Sequence, residues 1–132
     1  MVMQKEYISK LIQALNPVSV YIDKTGLGIP MHDFLSQSHP NVTGITFTQA
    51  MKEAMIINLY NHMRARKVII PPDCPQLINQ LRQFQRIQAP SGAIKYTAPP
   101  GEHDDYVIAL ALAVYAATQS ASRLDGKIVW KW

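Results

Sequence analysis

Three aspartates carry the strongest chemical signal in the sequence: Asp23, and the adjacent pair Asp104 and Asp105. Asp23 closes the apolar run VSVYI (18–22) and opens a loop that holds Gly26, Gly28 and Pro30. In an open α/β sheet, groups at the carboxyl ends of strands line the crevice where ligands bind. Asp104 and Asp105 follow a loop with Pro99, Pro100 and Gly101, and open an Ala- and Leu-rich segment. Taken singly, each has a plainer reading. An acid in a helix's first turn complements the dipole, and an Asp after a strand builds an Asx turn. Taken together, they are the oxygen ligands that a hard cation such as Mg²⁺ uses, alongside waters and phosphate oxygens. Two such ions about 3.5–4 Å apart can activate a water and stabilise the leaving oxygen in phosphodiester cleavage. Neighbouring acids repel when both are ionised, and a divalent cation removes that cost. His103, beside the pair, could ligate metal, shuttle a proton or cap the loop.

Other chemistries lack their residues. The chain has no HExxH or CxxC zinc pattern, no GxxxxGK[ST] phosphate loop and no GxSxG elbow. His32 and His39 stand apart in an expected loop, and TGLG (25–28) is a weak glycine signal. The single cysteine, Cys74, can form no internal disulfide, which points to a reducing, cytoplasmic compartment. No apolar run approaches the roughly 20 residues of a membrane span, and the start MVMQKEYISK is not a signal peptide. Thirteen Lys and Arg against nine Asp and Glu give a net charge of +4 and a pI near 9.3, which permits a polyanionic partner without requiring one.

The elements that must position the aspartates follow from periodicity, and 132 residues suffice for one domain. Ile8, Leu11, Ile12 and Leu15 mark one helical face, ended by Asn16-Pro17. VSVYI reads as a buried strand, a short helix runs over 31–36, and VTGITF (42–47) is a second strand. Thr48 is the expected N-cap of a Met- and Ile-rich helix to about Arg66. VII (68–70) reads as a short strand broken by Pro71-Pro72, and Leu77, Ile78, Leu81 and Phe84 mark another helix. From Phe84 to Ala98 the chain alternates and turns at Pro90-Ser91-Gly92, a β-hairpin. A helix follows from Asp104 to Ser120, with Val107, Leu110, Ala111, Val114 and Ala117 as its apolar stripe. The tail KIVWKW is an edge strand or docking segment. Such alternation predicts an α/β fold.

For nucleic acid the candidates are Lys24 beside Asp23, Arg64, Arg66 and Lys67 after the long helix, and Arg82, Arg86 and Lys95 around the hairpin. Basic side chains without a recognition helix suit phosphate contact that is insensitive to base sequence.

VYIDKTGLG (20–28), VTGITFT with the helix reaching Lys52 (42–52), IIPPDCPQLINQL (69–81) and SGAIKYTAPPGEHDDYVIALALA (91–113) occur in the order seen in a known family. With these stretches the chain resembles the nuclease domain of phage terminase large subunits, to about residue 118. The resemblance implies an RNase H-like fold and Mg²⁺- or Mn²⁺-dependent, two-metal cleavage of concatemeric viral DNA, inside a bacterial or archaeal host. It implies Asp23, Asp104 and Asp105 as metal ligands, with His103 as the neighbouring histidine. It also implies that the hairpin carrying Arg86 and Lys95 lies near double-stranded DNA.

Family members carry earlier strands, with a first acidic ligand, before the helix at residues 4–15, and an ATPase domain before those. This sequence starts at that helix, where Glu6 is the first acid. The expectation is a partial RNase H-like fold lacking the first strands, residues 1–120, with a tail at 121–132. The open edge of VSVYI then predicts a homo-oligomer or a completing N-terminal chain. The alternative function is a catalytically inactive prophage remnant that at most binds DNA or oligomerises.

Overall fold

The computed structural model describes residues 2–26 and 28–123. They form five helices and four short strands, in two compact units: residues 1–47 with the chain from Ala116, and Thr48–Tyr115.

In the first unit, helix α1 (Val2–Leu15) leads to strand β1 (Val20–Asp23), helix α2 (Gly28–Ser38) and strand β2 (Val42–Ile45). Asn16 takes a left-handed φ of 45° and its N–H still reaches Ile12 O at 2.9 Å, after which Pro17 stops the helix. β1 and β2 pair in parallel, from Val20 opposite Val42 to Asp23 opposite Ile45. Parallel neighbours need a crossover, and α2 supplies it. Ile12, Leu35 and Val42 form the buried core, with Ile8, Val20, Ile22 and Met31 against them. Among the described residues β1 pairs with β2 alone, so its other edge has no partner strand.

α2 is longer than the expected 31–36. It starts at Gly28 because Pro30 falls in the first turn, where a missing N–H costs nothing. That places His32 on a helix rather than in the expected loop. His39 lies in the loop after α2, as expected, but is buried, 8% exposed, with its Nε2 2.9 Å from Ser9 Oγ.

In the second unit, Thr48 caps helix α3 (Gln49–Arg64) as expected, its Oγ1 accepting from Met51 N–H at 3.1 Å. Helix α4 (Pro75–Gln83) follows, then a hairpin of β3 (Gln85–Gln88) and β4 (Ile94–Thr97), and helix α5 (Asp105–Arg123), which continues into the first unit. Met55, Ile56, Leu59, Val107, Ala111, Leu112 and Val114 are buried.

The expected strand at 68–70 does not form. Ile69 is 89% exposed there. Three β-prone residues without a neighbouring strand have no hydrogen-bonding partners, and Pro71-Pro72 contribute no donors. The KIVWKW tail lies outside the described residues. No helix among those residues is long and apolar enough to cross a membrane.

Candidate metal and nucleic-acid site

Asp23 is the last residue of β1 and is exposed. Its Oδ1 accepts the Thr25 N–H at 2.9 Å, so the plain Asx-turn reading holds for one of its oxygens. The turn is tied to the end of β2 by two further bonds. Lys24 N–H donates to Ile45 O at 2.7 Å, and Phe47 N–H to Thr25 Oγ1 at 3.2 Å. Gly26 supplies a φ of +59°. The chain then folds back so closely that a Cβ on Gly28 would run into the Asp23 carbonyl. The carboxylate is thus fixed by its strand, its turn and the start of α2. Lys24 is half-buried, and a Cβ on Gly44 would lie 2.7 Å from its Cδ and 2.9 Å from His32 Cδ2. The Lys24 stem and the His32 ring therefore lie across this side-chain-free stretch of β2.

Asp104 and Asp105 sit where α5 begins. The Asp104 carbonyl accepts the Ile108 N–H at 2.9 Å, which makes Asp104 the N-cap residue. An N-cap aspartate ordinarily turns its carboxylate onto the second or third amide of the helix. Here Gln80 of α4 takes that place. Its Oε1 accepts from Tyr106 N–H at 2.8 Å and from Val107 N–H at 3.3 Å. Relieved of capping, the Asp104 carboxylate pairs instead with Lys52 of α3, whose Nζ donates to Oδ2 at 3.3 Å. The two side chains are 26% and 25% exposed, so the pair is partly withdrawn from water. Asp105 and His103 are exposed on either side.

Two of these participants escape sequence reasoning. Lys52 lies in the stretch VTGITFT-to-Lys52, yet nothing in its spacing marks it as the partner of an acid 52 positions away. Gln80 is one of several glutamines in its segment, and only tertiary packing singles it out.

Asp104 and Asp105 offer carboxylate oxygens, the ligand type that a hard divalent cation takes. Lys52 Nζ places positive charge on Asp104 where a cation would do the same. Among the described residues, no three His, Cys, Asp or Glu side chains form a metal-binding group. Asp104 and Asp105 are sequence neighbours in the second unit, whereas Asp23 belongs to the first.

Arg86 and Lys95 are both exposed on the hairpin. Arg86 stands opposite Tyr96, and Lys95 opposite Ile87. Because strand side chains alternate faces, the two cations project from opposite faces of the ribbon.

A family model described as the terminase RNaseH-like domain matches residues 1–117. Among solved structures, the chain is similar to the large terminase nuclease from the thermophilic phage G20c. With bound cobalt and with bound magnesium, that nuclease gives a TM-score of 0.75 at 28% identity, over 85% of this chain. A third structure of the same nuclease gives 0.73. The chain spans 60% or 59% of the length of these matched nuclease chains. No curated protein sequence matches.

Proposed function

The chain belongs to the terminase RNaseH-like domain family, and on that premise we propose that it works as a metal-dependent DNA endonuclease, the nuclease part of a viral DNA-packaging terminase large subunit. The observation that carries this reading is the Asp104 carboxylate. It stands at a helix start, is released from capping by Gln80, is held toward Lys52, and has Asp105 beside it. The magnesium- and cobalt-bound relatives support a divalent cofactor. Mg²⁺ or Mn²⁺ is its chemical class here; Asp104 and Asp105 would hold it, and Asp23 is the further ligand that the family resemblance implies.

When bound, such ions supply an activated water and charge stabilisation for the leaving oxygen. The rest is the work of side chains. Asp104 and Asp105 set oxygens at the positive end of α5, where the helix dipole favours negative charge. Lys52 orients the Asp104 carboxylate through its ammonium, which would also reach a phosphate oxygen of bound DNA. His103, exposed beside Asp104, would move a proton there. Arg86, Lys95 and Lys24 contact phosphates of double-stranded DNA without reading bases. A strand from a preceding chain segment or a second copy could add a further oxygen ligand. The unpartnered edge of β1 is the place where such a strand, or a second copy of the chain, would add. Solution scattering that finds only monomer at all concentrations removes the second copy.

The want of a three-acid group among the described residues favours a second reading, a catalytically inactive module that only binds DNA or oligomerises. Plasmid nicking separates the two. The nuclease reading expects supercoiled plasmid to be nicked with Mg²⁺ or Mn²⁺ and left intact with EDTA. Intact plasmid under every metal condition favours the second reading.

A further inference from the structure

Beside the hairpin, in the second unit, lies an open groove of about 510 Å³. Its walls are Ile56, Ile57 and Tyr60 of α3, Phe84, and the cross-strand neighbours Arg86 and Tyr96. Tyr60 is 59% exposed, more than a ring needed only for the core would be. Arg64 lies over Tyr60, its guanidinium carbon 5.8 Å from the ring centroid. The groove therefore joins aromatic faces to two cations, Arg86 in its wall and Arg64 at Tyr60. A purely apolar peptide would gain nothing from those charges, and a bare duplex backbone would gain nothing from the rings. An unpaired nucleotide uses both.

We propose that this groove binds a single-stranded stretch of DNA, with bases stacked on Tyr60 and Tyr96 and a phosphate held by Arg86. The ligand class rests on the DNA reading above, but the groove uses none of the metal-site residues. Base–aromatic stacking tolerates any base, because every base has a π-face. Lys95 lies on the opposite face of the hairpin, so it contributes only general attraction for a polyanion.

The test is fluorescence anisotropy of the 132-residue chain with a labelled oligo-dT and with a duplex of equal length, in EDTA, so that nuclease activity plays no part. Tyr60→Ala and Tyr96→Ala should each weaken oligo-dT binding by roughly 5- to 100-fold, the range expected on losing one stacked base. Duplex binding should change less than about twofold, against that same stacking range. Arg86→Ala should lower the slope of log K against log salt by about 0.7 on the single strand. Lys95→Ala should weaken both DNAs by the same factor. Circular dichroism establishes that each variant is folded. Because Tyr60 is mostly exposed, its variant keeps the test alive if Tyr96→Ala unfolds. For the tyrosine variants, equal losses on both DNAs, unchanged oligo-dT binding, or a change only in self-association would each overturn the proposal. A chain that fails to nick plasmid but shows selective loss on oligo-dT would retain the groove and lose the nuclease.

Discussion

Asp104→Asn should reduce metal-dependent plasmid nicking by at least about 100-fold, since losing even a residue that merely supports a metal ligand costs about 10- to 100-fold. The amide keeps the shape of the carboxylate but loses the charge that a hard cation needs. Folding should suffer far less. The first amides of α5 are capped by Gln80 and not by the Asp104 side chain, so the helix start survives the change. What is lost is one partly exposed ion pair with Lys52, worth about 1 kcal/mol or less. Comparing nicking rates with melting curves for wild type and variant checks both halves. A variant that nicks normally, or one that unfolds, contradicts the assignment.

Among the described glycines, Gly28→Ala should have the largest effect. A Cβ at that position runs into the Asp23 carbonyl, which is backbone and cannot swing aside as a side chain can. Overpacking of this kind costs typically about 1–3 kcal/mol. The group that must move belongs to Asp23, so the carboxylate is displaced with it, and nicking should fall along with stability. Gly26→Asn is the informative comparison. Gly26 has a φ of +59° but open space around it, and asparagine tolerates the left-handed region. Gly26→Asn should therefore be close to neutral in both assays. Urea denaturation and plasmid nicking of the two variants test the contrast. Equal effects would mean that turn conformation, and not close approach, makes the loop depend on glycine.

Much of the local structure was legible because it rests on short-range rules. Asn16-Pro17 stops α1, Thr48 caps α3, and the turn at Pro90-Ser91-Gly92 closes the hairpin. β1 reaches its end at Asp23 because the glycine-containing turn begins there. What remained hidden depends on contacts between elements. VII (68–70) has good strand residues but no neighbour to pair with. His39 gives no sign of burial, since its partner Ser9 lies 30 positions away on helix α1. The opposite facing of Arg86 and Lys95 follows from a register that pairs Gln85 with Thr97, and a hairpin's register is fixed only when its loop closes. At the candidate site the aspartates were legible from their places beside a strand end and a helix start. The Lys52 pairing and the Gln80 cap were not, because both bring α5's start together with helices far away in sequence.

The proposed metal ligands are tested most directly by Mn²⁺ binding followed by electron paramagnetic resonance, which does not rely on turnover. The chain should remove free Mn²⁺ from solution, and Asp104→Asn and Asp23→Asn should each release most of it while remaining folded. Binding that is equal in all three proteins, or absent from the wild type at millimolar Mn²⁺, would contradict the metal site and with it the proposed nuclease.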